Sequence, residues 1–370
     1  MSGNTRKGRG PVPLRPACII STTAAEGIPS LSDVFYTKPE PSVLRSVERL
    51  LKALDFTSLL PAGQDVLLKI NLTWDYLRPG VVTSPWVVDA VARVLAGHCG
   101  TIHVGESSQI LVDATDALVN TRMADVVDRN GLVWHDFSKE SWEERVVDGL
   151  SFSIPRVCAR MPVVSLPVVK THYRSVLSIA LKNQYGCLDD NRHNYHYRLT
   201  DYAVAVNKAV PVVFTLADGT VSLEGGGPKP GKPLRTDFLS ASTDRVAIDS
   251  SLARVMGLDP ARIPLIASAD GVLGDAPNPR EICLSPMEKV PRYEFEPARP
   301  NFVARVEGLL RGRRTEPKTD GPLMGALKRG ARLWYRIAYR LLGQKAEAER
   351  WMDDPRYGPQ WRGLPEDGAE

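Results

Sequence analysis

Short apolar runs, too brief for helices, alternate along this chain with segments of helical period, and that alternation restricts the fold more than any other feature. VLLKI (66–70) reads as a short buried strand. Ser84-Pro85 then supplies an N-cap followed by proline at the first helical position, the helix runs to about 97, and Gly100 ends it. TIHVG (101–105) is a second strand; a helix of roughly 115–129 stops at Gly131, before the strand LVWHD (132–136). Upstream, Val43, Val47, Leu50, Leu51 and Leu54 share one face of a helix over 43–54, with Ser42 as N-cap.

The rhythm continues downstream. Asp148-Gly149 marks a hairpin turn, and MPVVSLPVVK (161–170) is the longest apolar strand candidate. Helices are expected at 175–185 and 199–209, a strand through VVFTLAD (212–218), another at FLSAS (238–242), a helix over 244–256 ended by Gly257, and a short helix at about 260–269. Strands alternating with helices predict an α/β fold, a mostly parallel sheet with helices on both faces. Residues 1–13, basic and rich in Gly and Pro, form a disordered lead; 14–285 is the α/β domain; beyond Pro286, Pro291, Pro297 and Pro300 lies a basic helical extension over 286–370.

Hydrophobic content of 43% and charged content of 24% exclude global disorder, and a net charge of +4 does not by itself imply nucleic acid. The five cysteines form no C-x-x-C pair, so neither a disulfide framework, a structural zinc site nor an iron–sulfur cluster is expected. Isolated thiols fit a reducing cytoplasm. The N-terminus has no apolar stretch after its basic residues, and no apolar run approaches the ~18 residues of a membrane span. The expectation is a cytoplasmic protein.

Polar residues gather just after the strands. Lys69 and Asn71 end the first, Glu106 follows the second, Lys170 and His172 follow VVSLPVV, and Asp218 follows VVFTLA. In a parallel sheet these carboxyl ends share one edge, where open α/β proteins bind ligands. The bland alternative is that strand ends are exposed and collect polar residues anyway. Between 170 and 198 lie Lys182, Asn183, Arg192, His193 and His196, groups able to clamp a carboxylate or phosphate or to move protons. His193-x-x-His196 also admits a metal pair, or simply a solvated loop. Cys187 beside this loop reads as packing more often than as a reactive thiol. Gly225, Gly226 and Gly227 allow an anion nest, with Asp218 and Glu224 placed to hold a divalent cation; the alternative is a plain surface loop. Neither a Walker loop, a dinucleotide fingerprint nor a Gly-x-Ser-x-Gly elbow is present.

Taken in order, LLKINL (67–72), TSPWVVDAVARVL (83–95), IHVGESS (102–108), LPVVKTHYRSVLSIALKNQYGCL (166–188), LADGTVSLEGGGPKPGKP (216–233) and SASTDRVAIDSSLARVMGLDP (240–260) resemble the domain-of-unknown-function 362 family. The resemblance covers about 65–275 and implies an α/β fold but no assigned reaction. Many members resembling this chain also carry ferredoxin-like iron–sulfur ligands, which are absent here. A fold-level likeness to the nickel-pincer lactate racemases is an analogy only. By motif, the resemblance points to Lys69, Asn71, Glu106, Lys170, His172, Lys182, Asn183, Asp218, Glu224 and Gly226, without supplying their roles.

The expectation is an enzyme acting on a small anionic molecule. Lys170, His172, Lys182 and Glu106 are the catalytic candidates. Lys69, Asn71, Asn183, Arg192, His193 and Gly225–Gly227 would bind substrate, with Asp218 and Glu224 as metal ligands. The rival is a non-catalytic binding or scaffold protein. In the tail, Leu323, Leu327, Ala331, Trp334, Ile337, Ala338 and Leu341 share a helical face beside Lys328, Arg329, Arg332, Arg336, Arg340 and Lys345. Such a helix over 323–345 packs on its own body or across a homo-oligomer, or docks on an anionic membrane or a protein partner. No recognition module accompanies the charge, so nucleic acid is not expected.

Overall fold

The computed structural model describes residues 32–300 and 322–366, apart from Ile110, Pro228, Pro230, Asn278 and Leu342; the expected lead at 1–13 lies outside them. The first strand, β1 (Asp33–Thr37), leads to α1 (Val43–Ala53), whose Ser42 cap accepts from the Arg45 amide at 3.2 Å. Next come α2 (Phe56–Leu59), β2 (Val66–Lys69), α3 (Pro85–Ala96) and β3 (Ile102–Glu106). The single helix expected at 115–129 is two, α4 (Ala114–Asn120) and α5 (Met123–Arg129), because Arg122 takes a left-handed conformation, φ 65°. Then follow β4 (Val133–Asp136) and the hairpin β5 (Trp142–Val147) and β6 (Leu150–Pro155). Its turn places Asp148 and Gly149 at φ 50° and 76°, as an Asp-Gly type I′ turn requires.

After α6 (Arg156–Arg160), the long strand expected over 161–170 is broken at Leu166-Pro167 into β7 (Val163–Ser165) and β8 (Val168–His172). Proline removes a ladder donor, and the pairing with β2, which reaches Ser165, ends there. The helix expected at 175–185 begins instead as strand β9 (Val176–Ser178), antiparallel to β8, and only Ala180–Asn183 (α7) is α-helical. A helix α8 (Leu199–Ala209) precedes β10 (Val212–Glu224) and β11 (Lys232–Ser242). The glycine-bounded segment expected as a loop is thus largely a two-stranded ribbon. The body closes with α9 (Arg245–Val255), α10 (Pro264–Ala269) and β12 (Arg280–Cys283); Asp244 caps α9 through the Val246 and Ala247 amides. The tail carries α11 (Pro322–Leu341) and α12 (Gln344–Met352).

The sheet runs β12-β1-β11-β10-β7-β2-β3-β4, with β8 beside the outer half of β10. From β10 through β4 every pairing is parallel, while β11 runs antiparallel to both β10 and β1. The architecture is α/β, a mostly parallel sheet covered on both faces. One core packs α7–α10 on residues such as Leu67, Val163 and Ala217; the other packs α1 and α3–α5 on Leu68, Val104 and Leu216. Each fully buried Leu or Val there contributes roughly 1.5–3 kcal/mol.

The tail is tied into this body. Tyr357 and Trp361 are each 1% exposed in the second core. The Glu366 carboxylate accepts from the Val43 and Leu44 amides at 2.6 and 3.0 Å, capping α1, and Gln360 Oε1 accepts from the Trp86 amide at 3.2 Å at the start of α3. Buried helix ends need such partners for their free N–H groups.

Candidate functional site

Strand register explains why the cationic residues meet. Lys69 on β2 lies opposite Gly105 of β3 and Ser165 of β7, so Lys69 and Glu106 leave the sheet at the same edge. Lys69 Nζ donates to Glu106 Oε2 at 2.9 Å and to the Ile70 carbonyl at 2.8 Å, fully buried. Glu106 also accepts from the Ser107 amide at 2.8 Å and the Leu72 amide at 3.4 Å. A Cβ at Gly186 would come within 2.5 Å of Glu106 Oε1, so only glycine lets the backbone lie against this pair.

Lys170, two residues from the end of β8, is buried without an acid. Its ammonium donates to Asn71 Oδ1 at 2.9 Å, Thr73 Oγ1 at 3.2 Å and the Val81 carbonyl at 2.8 Å. Burial, with the charges of Lys182, Lys229 and Lys69 nearby, outweighs attraction from Glu106 and pushes Lys170 down to about 7. Asn71 Nδ2 reaches Asn183 Oδ1 at 3.4 Å; Asn183 in turn donates to the Lys69 carbonyl and to Ser165 Oγ, both at 3.1 Å. This amide chain couples the two lysine positions to α7. Lys182, half-buried on α7, sits 4.0 Å above the Tyr185 ring, and burial beside Arg192 pushes it down to about 7 as well. Among the described residues no carboxylate pairs with Lys182 or Lys170.

His172 ends β8. Its Nδ1 accepts from the Arg174 and Ser175 amides at 3.1 and 3.3 Å. Burial, reinforced by Lys182 and Lys170, holds the imidazole well below its ordinary range, so it stands neutral with its proton on Nε2.

Other expected residues stand elsewhere. Arg192 is buried, but its guanidinium is taken up by the carbonyls of Leu188, Asp189 and Ser108 and by Asp190, which makes it a strut of its loop instead of a substrate clamp. His193 and His196 meet edge to face at 5.5 Å, and His196 stacks on Tyr185 at 5.6 Å. Cys187 is fully buried against Gln184 Oε1 at 3.7 Å, away from any solvent-borne reactant. The metal pair fails on distance: Asp218 and Glu224 are six residues apart on one strand, roughly 20 Å. Asp218 is fully buried in mid-ribbon, where it accepts from the Ser84 amide at 2.8 Å, from Thr220 Oγ1 at 2.6 Å and from the Thr220 amide at 3.0 Å. Glu224 accepts from the Glu296 amide at 2.9 Å. Among the described residues no three His, Cys, Asp or Glu side chains cluster as a cation would need. The expected anion nest is also spent, since the Gly225 and Gly226 amides donate to the Glu296 and Glu224 carbonyls, both at 2.9 Å. Gly227 packs directly on the Thr171 carbonyl.

Sequence reading missed Thr73, Ser165, Gln184 and Gly186, which complete the polar lattice. A serine inside the apolar run VVSLP was the available signal for Ser165. Just outward of Thr73, Trp74, Asp75, Tyr76, Asp116, Tyr335 and Arg336 line part of a cavity of about 160 Å³ between the body and α11.

The fold and this edge define an α/β protein with a cluster of buried and half-buried lysines at the carboxyl ends of parallel strands. It belongs to the family described as domain of unknown function (DUF362), whose model matches residues 66–254. It is similar to a thylakoid-associated protein of Synechocystis sp., 28% identical over 244 residues, which cover 62% of this chain and 74% of that protein. Among solved structures it is similar to the lactate racemase apoprotein of Thermoanaerobacterium thermosaccharolyticum, with a TM-score of 0.41 and 12% identity over 59% of this chain and 55% of that one. A structural-genomics protein of Thermotoga maritima matches with a TM-score of 0.34 and 8% identity over 53% of this chain and 54% of that one. The matches thus span little more than half the length of either solved chain. No helix among the described residues is long and apolar enough to cross a membrane.

Proposed function

We propose that this site binds a small anion, a carboxylate or phosphate, and acts on it by proton transfer. The observation that carries the reading is the presence of two lysines, Lys170 and Lys182, buried or half-buried without an acid partner, next to a third, Lys69, that has one. Fixed cationic donors in a water-poor site favour a bound anion. Lys182, poised at about 7, can pass a proton in either direction near neutrality, and neutral His172 offers a proton on Nε2. Asn71 and Asn183 would orient the ligand. Among the described residues a divalent cation finds no shared ligand set, and the reading needs none.

Calorimetric titration with inorganic phosphate and simple mono- and dicarboxylates tests it. At least one should bind below neutrality, more weakly above it, and about tenfold more weakly to Lys182→Met, an effect of about 1.4 kcal/mol. If no such anion binds, or Lys182→Met binds as well as the parent, the reading fails. Binding with no chemical change in the ligand would favour the rival, a non-catalytic binding protein.

A further inference from the structure

An amphipathic helix that packs on its own protein normally hides its apolar stripe. Helix α11 does the reverse. Tyrosines and small residues face the body: Tyr335 meets Trp74 edge-on at 5.0 Å, Tyr339 stacks on Tyr76 at 4.5 Å and donates to the Leu77 carbonyl at 3.0 Å, and Ala338 is 6% exposed. Leu333, Ile337 and Leu341, spaced i, i+4, i+8, form a second row with Trp334 beside it, and they are 57%, 40%, 77% and 41% exposed in that order. Arg329, Arg336 and Arg340 form a third row next to Leu333, all exposed.

Charge narrows what can cover the apolar row. Residues 321–346 hold six cations and no acid. A second copy of this chain docking face to face would set the two cationic rows against each other. A nucleic acid would use the arginines but leave the aliphatic row in water. The helix is not apolar enough to span a bilayer. We propose that α11 lies flat on an anionic lipid surface, with Leu333, Trp334, Ile337 and Leu341 at the headgroup–acyl boundary and Arg329, Arg336 and Arg340 on lipid phosphates. Long arginine stems can bury their methylenes while their heads stay at the phosphates, and tryptophan favours that depth. The opposite face keeps its tyrosine contacts, so the body docks without unfolding.

Flotation of the full chain with vesicles of phosphatidylcholine, alone or mixed with phosphatidylglycerol, tests this. The protein should float with the mixed vesicles at low salt, several-fold less at high salt, and not with phosphatidylcholine alone. Leu333→Asp with Ile337→Asp changes two exposed side chains; its melting temperature should stay near the parent's while binding falls at least about tenfold. Arg336→Gln with Arg340→Gln should weaken binding and flatten its salt dependence. Absence of flotation at low salt overturns the proposal and leaves the face to an acidic protein groove. Equal binding to both vesicle types overturns it too, as does full binding by the aspartate pair.

Discussion

Two lysines arrive at the same sheet edge and are treated in opposite ways. At the end of β2, Lys69 is fully enclosed and paired with Glu106, while Gly186 seals the pair off. At the end of β8, Lys170 is equally buried but receives only neutral oxygens, and Lys182 beyond it faces a tyrosine ring. A buried charge costs several kcal/mol unless it is matched. The first position closes its account within the chain, and the second leaves positive charge uncompensated. We therefore read the first as architecture and the second as the place held for a ligand.

The largest blow to this contrast should come from Glu106→Gln. It orphans a buried ammonium and should cost about 3–5 kcal/mol in urea denaturation, with Lys69→Met on the same background restoring much of the loss. A double variant no more stable than Glu106→Gln alone would mean that the pair is not what the edge depends on. Lys170→Met should cost less, about 1–3 kcal/mol at about pH 9, where the native lysine is neutral, because it leaves three neutral oxygens short of a donor. Towards acid pH the cost shrinks, since the substitution also removes an unmatched buried charge.

The pH dependence comes next. In the unfolded chain both lysines hold their protons to about 10, whereas in the native state they release them near 7. Between those values the unfolded state binds more protons, so their contribution to stability rises with pH across that window. Anion affinity should run the other way and fall as pH climbs through 7. Melts over this range should show a flatter slope in Lys170→Met than in the parent; equal slopes would place the lysines' titration elsewhere. The smallest effect belongs to Lys182→Met, which should shift stability by about 1 kcal/mol or less, the size of a lost cation–π contact. A loss of several kcal/mol would move Lys182 to the architectural side of the comparison.

Local signals were legible where they decided the outcome. Ser42 and Asp244 cap their helices as their positions in the sequence suggest, and Asp148-Gly149 turns its hairpin. The strand ends holding Lys69 and Glu106 followed from apolar runs alone. Tertiary pairing overrode the local pattern elsewhere. Val176-Leu177-Ser178 has an apolar periodicity that suits a helix, yet β8 recruits it as a partner, with Val176 held at φ 67°. Thr220, Ser222 and Glu224 alternate with Val221 and Leu223 along β10, but the flanking glycines disguised the strand as a loop. The site was half visible for the same reason. Charged residues announce themselves in a sequence, while the acceptors that decide their state, such as the Val81 and Ile70 carbonyls, belong to the backbone and leave no trace there.

The placement of β1 bears on how such a chain is made. It pairs with Leu239–Ala241 on one side and with Arg280–Cys283 on the other, partners more than 200 residues away. A ribosome delivers β1 long before either neighbour exists, so Asp33–Thr37 has no sheet partner until residues 239–241 have emerged and lacks its second until residue 283 has. Closing loops of that length is entropically slow. The parallel strands β2, β3 and β4, with α3–α5, can associate meanwhile, and β1 joins a sheet that is already mostly built.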